Sequence, residues 1–416
     1  MAAPVGLAVP GRLLDLTRLI SRVGHGPMTG VDRVERAYLT EFLARPEPLF
    51  GLVATSVGHS LLDRAGMAAL SARLMGQVPW GKPDLLARFS RSLGPRRKAA
   101  EADVRRLALG SVLAQGLAAL MRTSLRDGVV YYNTGHSNLT DTTLGAVKSL
   151  PGARIAVLIH DMIPLDFPQF TRPGQTQIFA DKMRRVAASA DRVICNSAVT
   201  AADVARHFAG FGRVPDRMVA HLGIDPPTAA PTLPADHAAL QPYFLCLGTI
   251  EPRKNHALLL DIWDGFAADP PAGGIPHLLI AGSRGWRNDA VFARLDKLDP
   301  NGPVRDLGGV DDHQRAALMA QATALLFPSH AEGFGLPPAE AAARGIPVLC
   351  NDLAVLREFM GDYPVYAPVT DRYHWAKAIE TLAESWRAGR GHHRQTFRGT
   401  LPTWADHFNL VLSGGW

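Results

Sequence analysis

His330-Ala331-Glu332-Gly333-Phe334-Gly335-Leu336-Pro337-Pro338-Ala339-Glu340 decides how the second half of this chain is read. Ahead of it, Ala322-Thr323-Ala324-Leu325-Leu326-Phe327 is an apolar run of buried-strand length, and Pro328 ends it. Gly333 and Gly335 let the backbone turn tightly and come close to another molecule. Pro337 or Pro338 suits a first helical turn, where a missing N–H costs little. Ala339 to Arg344 continue as helix, Gly345 stops it, and Pro347-Val348-Leu349-Cys350 opens the next strand. Glu332 then lies in the turn and Glu340 about one turn into the helix. The free amides of such a helix start attract phosphate, and the two carboxylates can accept hydrogen bonds from sugar and ribose hydroxyls. An anionic, hydroxyl-rich ligand such as a nucleotide sugar suits that set. A plain strand-to-helix loop with solvated glutamates is the competing reading for any single Glu-Gly pair.

Three other stretches share the pattern of a strand end feeding a loop. In Leu247-Gly248-Thr249-Ile250-Glu251-Pro252-Arg253-Lys254-Asn255-His256, a strand ends at Gly248 and a helix starts near Asn255, a good N-cap. Arg253 and Lys254 sit between them, where a guanidinium and an ammonium can grip a diphosphate from two directions. An isolated Arg-Lys pair is ordinarily solvated surface. Val157-Leu158-Ile159-His160-Asp161-Met162-Ile163-Pro164 delivers His160 and Asp161 to the end of a strongly apolar strand, with prolines ordering the loop beyond. A lone strand-end histidine is more often structural. Met28-Thr29-Gly30-Val31-Asp32-Arg33-Val34-Glu35 follows the first strand, and Gly30 opens a helix whose amides a ligand can approach.

Together these residues resemble the retaining glycosyltransferases of family 4, which have the GT-B fold and an E-x7-E signature matching Glu332 to Glu340. The resemblance runs from about Leu13 to the C-terminus and is strongest from Tyr243 to Glu358. It implies α/β architecture: two Rossmann-like domains facing each other across a cleft, with a C-terminal helix crossing back to the first. It implies a donor site from Gly30, Gly248, Arg253, Lys254, Val310, Glu332, Gly333, Phe334, Gly335, Leu336 and Glu340. Arg253 and Lys254 would hold the diphosphate, and backbone groups of Val310 would pack beside the base. His160, Glu332, Arg253 and Lys254 would carry the chemistry, and Asp161 would contact the acceptor. No metal or cofactor is required, because the two cations stabilise the leaving diphosphate. The chain departs from the family at Thr29-Gly30, where many members have two adjacent glycines. The His160–Pro168 loop and the Gly30–Glu35 segment look most like bacterial mannosyltransferases of surface-polysaccharide assembly. That favours GDP-mannose as donor, with UDP-hexoses next, and a glycan or lipid-linked oligosaccharide as acceptor. A GT-B nucleotide-sugar epimerase and a non-catalytic sugar-nucleotide-binding subunit are the rival readings. Asn351, Asp352 and Glu358 suit the cleft or simple capping and surface roles equally. Arg284 ends another strand and could add positive charge.

At 416 residues the chain is too long for one ordinary domain. The alternation of strand and helix gives an N-terminal domain at 1–225 and a second domain at 242–395, the prolines mark a linker at 226–241, and the resemblance implies a crossover segment at 396–416. Residues from about Ser56 to Asp127 fit that rhythm poorly and read as helical excursions. No apolar run reaches the length of a membrane span, and the first residues lack the pattern of a signal peptide. The three cysteines, Cys195, Cys246 and Cys350, lie in or beside apolar strands and read as buried reduced thiols, which fits a cytoplasmic protein. The formal charge is +6, with a basic stretch from Lys82 to Arg106. There Leu85, Leu86, Phe89 and Leu93 recur near helical spacing among the cations. This reads either as an amphipathic helix on an anionic membrane, at the inner face of the plasma membrane, or as a solvated helix face. No nucleic-acid module is recognisable.

Overall fold

β1 (Arg12–Asp15) is buried along its whole length, as a central strand covered on both faces must be. It pairs in parallel with β2 (Leu49–Thr55) on one side. The computed structural model to which it belongs describes residues 10–88, 90, 92–225, 240–390 and 396–413. β3 (Gly58–Asp63) and β4 (Gly110–Val112) extend the sheet beyond β2. On the other side lie β5 (Val130–Asn133), β6 (Arg154–Ile159), β7 (Arg192–Cys195) and β8 (Asp216–Val219). Among the described residues the order is β4-β3-β2-β1-β5-β6-β7-β8.

The sheet is not wholly parallel. β2 and β3 form an antiparallel hairpin, and β3 pairs antiparallel with β4. The Ser56–Asp127 region therefore supplies the edge strand β4 and its neighbour β3 as well as helices at Arg64–Leu74, Pro95–Leu107 and Leu117–Ser124. Short strands of mixed polarity such as Gly58-His59-Ser60-Leu61 carry little apolar signal, which is why helices alone were expected.

The second lobe is all parallel: β9 (Tyr243–Leu247), β10 (His277–Ala281), β11 (Val304–Gly308), β12 (Ala324–Phe327), β13 (Val348–Cys350) and β14 (Val365–Tyr366). Their order is β11-β10-β9-β12-β13-β14. β11 carries little apolar signal of its own, because Arg305 and Asp306 break the run. The order in which successive strands are added reverses between β9 and β12. In open α/β sheets such a switch point leaves a crevice beyond the strands' carboxyl ends. The loops after β9 and β12 carry Arg253, Lys254 and Glu332.

The C-terminal helix Trp404–Ser413 returns to the first lobe. Phe408 packs edge-on to Tyr38 at 4.9 Å, and His407 Nε2 lies 2.8 Å from the Tyr38 hydroxyl. Ile224 N–H donates to Pro402 O at 2.9 Å. Residues 226–239 of the expected linker lie outside the described residues.

The basic stretch is not one amphipathic helix. Its helix is confined to Pro95–Leu107, preceded by a short turn at Leu86–Arg88. Three of its arginines are held by acids: Arg105 by Asp84 at 2.7 Å, Arg106 by Asp103 at 2.6 Å and Arg97 by Glu101 at 3.1 Å. No described helix is long and apolar enough to cross a membrane. All three cysteines are buried and unpaired.

Candidate active site

The loop after β9 makes a single 3₁₀ turn, Pro252–Lys254, before the helix His256–Ala268. Asn255 does sit at the N-cap, but in a left-handed conformation (φ 53°) and without a side-chain capping bond. The left-handed residue ends the 3₁₀ turn and redirects the chain into the helix. Gly248, with φ 139°, turns the backbone just after the strand, where Lys254 Cε would lie 3.3 Å from an added Cβ. A side chain there would crowd the ammonium.

Across the switch point, Glu332 meets both cations. Lys254 Nζ lies 2.6 Å from Glu332 Oε1, and Arg253 Nη1 lies 2.8 Å from Oε2. Arg253 also pairs with Glu251 at 2.6 Å and donates to Ala331 O at 2.7 Å. His330 N–H donates to Arg253 O at 2.8 Å, tying the two loops by backbone as well. Lys254 Nζ sits 4.6 Å above the Phe327 ring. Burial alone would push the Glu332 carboxyl up, but the adjacent guanidinium and ammonium hold it down at about 2. Burial pulls the Lys254 ammonium below its usual value despite Glu332. Two cations and two carboxylates thus nearly balance, so an arriving diphosphate must compete with Glu332 for them.

The first lobe closes on this cluster. A Cβ on Gly333 would stand 2.1 Å from His160 O and 2.9 Å from Asp161 Cβ. Only glycine admits this backbone approach. The His160 ring donates through Nε2 to Thr134 O at 2.7 Å, because a carbonyl can only accept. Nδ1 is left as an acceptor for a ligand hydroxyl. Burial pulls His160 down to about 4, so the ring is neutral near pH 7. Asp161 is pushed up to about 6 by burial, partly offset by Arg253. Its Oδ1 accepts from Ile163 N–H at 3.1 Å.

The helix Leu336–Ala343 begins after Gly335, whose φ of 109° suits glycine. Phe334 is buried against Phe359 at 4.4 Å, which fixes the turn. Leu336 faces Gly30, 3.5 Å from where a side chain on that glycine would begin. Thr29 and Asp32 form a capping box, so part of the amide edge at Gly30 is already satisfied by its own helix. Glu340, expected near a ribose, is paired across the cleft with Arg33 at 2.5 Å. Val310 follows β11 and packs at the margin of the core beside that edge.

Other residues take structural places. Glu358 accepts from Ala198 N–H at 2.7 Å and Val199 N–H at 3.2 Å, capping the first-lobe helix Ala198–Gly210, and lies 2.6 Å from His221 Nε2. Asn351 Nδ2 donates to Ser329 O at 2.9 Å. Asp352 pairs with Arg357 at 2.5 Å. Arg284 is held by Asp296 at 2.7 Å rather than turned to the cluster. Arg33 and Glu251 were not anticipated. Both stood in stretches already singled out, Glu251 for its neighbouring cations and Arg33 for Gly30, but neither was given a role there.

Residues 235–396 match the family described as "Glycosyl transferases group 1". These residues are thus similar to a glycosyl transferase group 1 domain. Serotype-specific mannosyltransferase WbdA of Escherichia coli is 32% identical over 383 residues, covering 88% of this chain and 41% of WbdA. O-antigen chain mannosyltransferase B of Escherichia coli is 28% identical over 226 residues, 52% of this chain and 58% of that protein. The chain thus spans about two fifths of the length of WbdA. Anabaena Alr3699/HepE, solved in complex with UDP-glucose, superposes with a TM-score of 0.58 at 14% identity, covering 97% of this chain and 98% of HepE. TarM superposes with a TM-score of 0.51 at 13% identity, covering 75% and 57%. The two lobes and crossing helix are a GT-B fold, and the residues similar to a group 1 domain make up its second lobe together with the Arg253–Lys254–Glu332 cluster.

Proposed function

We propose that this chain is a retaining hexosyltransferase of bacterial polysaccharide biosynthesis. It would move mannose from GDP-mannose to a hydroxyl of an oligosaccharide or lipid-linked acceptor. The observation that carries this is the shared grip of Arg253 and Lys254 on Glu332 at the switch point, opposite the buried neutral His160. The names of the curated relatives support mannose.

In the reaction the donor's diphosphate takes over Lys254 and Arg253, and the amides ahead of Leu336 face it. As the anomeric bond breaks, negative charge builds on the departing phosphate oxygen. Preformed cations in a buried site stabilise that charge without a metal. Glu332, freed from Lys254, accepts from hydroxyls of the transferred sugar. His160 Nδ1 accepts another. Glu332 is then engaged with sugar hydroxyls and Glu251 stays paired with Arg253, so neither is assigned as the nucleophile of a covalent intermediate. A front-face route therefore suits retention: the departing phosphate oxygen takes the acceptor proton while the acceptor oxygen bonds to the anomeric carbon. Asp161, ionised above about pH 6, can orient the acceptor hydroxyl.

A thermal-shift series with GDP, UDP, ADP and dTDP tests the donor. A nucleotide at a hundred times its dissociation constant adds roughly 2.7 kcal/mol of stability. The largest shift with GDP supports the proposal; UDP above GDP replaces mannose with a UDP-hexose. A lipid-linked acceptor would bring the exposed Leu85 and Leu86 toward an anionic membrane. Flotation with anionic and with neutral vesicles checks this, and equal recovery from the two contradicts it.

A further inference from the structure

A cavity of about 240 Å³ lies between the segment Leu19 to Asp32, which follows β1, and the insertion between β2 and β5, which contributes Leu74, Trp80 and Arg96. Leu19, Leu74 and Trp80 give it an apolar side, and Arg22 and Arg96 a polar one. Arg22 is committed elsewhere, to Asp32 Oδ2 at 3.3 Å and His25 O at 3.1 Å. Arg96 is exposed and has no hydrogen-bond or ion-pair partner among the described residues. Its Cβ packs 3.3 Å from where a side chain on Gly24 would begin. Trp80 is half-buried, and its indole N–H has no partner among the described residues.

The cavity's rim is the loop that touches the donor lobe. Pro27, which lines it, comes within 3.5 Å of where a side chain on Gly309 would begin. Asp32 lines it too and takes Nε of Arg18 at 2.8 Å, beside the Thr134–His160 contact. An occupant therefore sits next to the reacting centre but outside the diphosphate grip. The volume is below the roughly 300–1,000 Å³ of pockets that enclose drug-sized ligands, so it suits one ring-sized unit rather than a whole oligosaccharide. A pyranose offers an apolar C–H face for an indole and a rim of hydroxyls for a free guanidinium and a free N–H.

We infer that this cavity is an acceptor subsite, in which Trp80 stacks on one sugar ring of the acceptor glycan and Arg96 binds its hydroxyls. The inference rests on the glycosyl-transfer reading and locates the acceptor within it. It also gives the basic stretch a role other than membrane contact.

The test uses reducing-end-labelled α-mannotriose as acceptor and GDP-mannose as donor. Trp80→Ala is expected to raise the KM for mannotriose by about tenfold or more with kcat about unchanged. Trp80→Phe, which keeps a stacking face, recovers most of this, and Arg96→Ala raises KM by about threefold or more. The stabilisation by GDP stays as in the wild type, showing the donor grip intact. An unmoved KM in Trp80→Ala overturns the subsite, as does a parallel loss of GDP stabilisation. Displacement of mannotriose by millimolar inorganic phosphate through Arg96 assigns the cavity to an anion and also overturns it. If the wild type neither responds to GDP nor transfers mannose, the transferase reading fails separately. Saturation-transfer NMR then decides the subsite: mannose signals with the wild type and not with Trp80→Ala uphold it, and none with either overturns it.

Discussion

Arg33 of the first lobe and Glu340 of the second meet at 2.5 Å, with side chains only 12% and 8% exposed. Asp225 lies 3.6 Å from the same guanidinium, and Arg315 lies 3.8 Å from the same carboxylate. The contact joins the helix that follows the Gly30 loop to the helix that ends the E-x7-E string. Removing one partner of a buried pair strands the other, at a cost of about 3 kcal/mol or more. Glu340→Gln should therefore lower the urea midpoint while keeping a hydrogen-bond acceptor for ribose, so GDP affinity should change little. Glu340→Leu should lose both. An unchanged urea midpoint in Glu340→Gln would show that the pair contributes nothing to joining the lobes.

Gly333 sets how closely the lobes approach. An added methyl would stand 2.1 Å from a backbone oxygen, which no rotamer change relieves. Gly333→Ala should separate the lobes and slow transfer by about tenfold or more, since small misplacements at the reacting centre cost that much. Small-angle scattering should show a larger radius of gyration. Wild-type rate and radius together would mean that the loop absorbs the methyl without opening the cleft.

Lys254→Ala and Glu332→Ala should each slow turnover by on the order of a hundredfold while the protein stays folded. Circular dichroism and steady-state rates with GDP-mannose check this. Near-normal turnover in either variant would remove that residue from the donor grip.

Asp161 gives the pH dependence. Its folded value of about 6 lies above the ordinary 3.8, because burial disfavours the carboxylate. Turnover should rise through about pH 6 as Asp161 ionises, and Asp161→Asn should flatten that limb. The stability effect has the opposite sense. The folded state holds this proton more tightly, so the contribution of Asp161 to stability is complete below about pH 3.8 and is lost as pH rises through about 6. Asp161→Asn should therefore gain melting temperature relative to the wild type on going from pH 4 to pH 7.5. A limb near pH 6 that survives in Asp161→Asn would assign it to another group.

Local features carried most of what was legible. The strand, glycine turn and helix from Ala324 to Ala343 follow from an apolar run, two glycines and a proline pair within a short span, and the structure has them there. The Arg253–Lys254 loop was legible for the same reason. What sequence could not show was pairing at long range. The Arg33–Glu340 contact spans the two lobes, and the Gly30–Glu35 segment that contains Arg33 does not reveal which acid of the other lobe it meets. Glu358 reads as any helix-surface acid until the helix at Ala198 is seen to point its amides at it. β3 and β4 were hidden because they are short and of mixed polarity: β3 has only Leu61 and Leu62 as large apolar residues, and the edge strand β4 has only Val112. The insertion that contains them holds Trp80 and Arg96, whose nearness to the cleft depends wholly on tertiary packing.

The most direct measurement is the product formed from GDP-mannose and labelled α-mannotriose by the purified chain, read by the anomeric coupling in NMR. The account predicts a new α-linked mannose on the acceptor, with the donor's configuration retained. A β-linked product, an epimerised donor or a donor left bound and unchanged would contradict it.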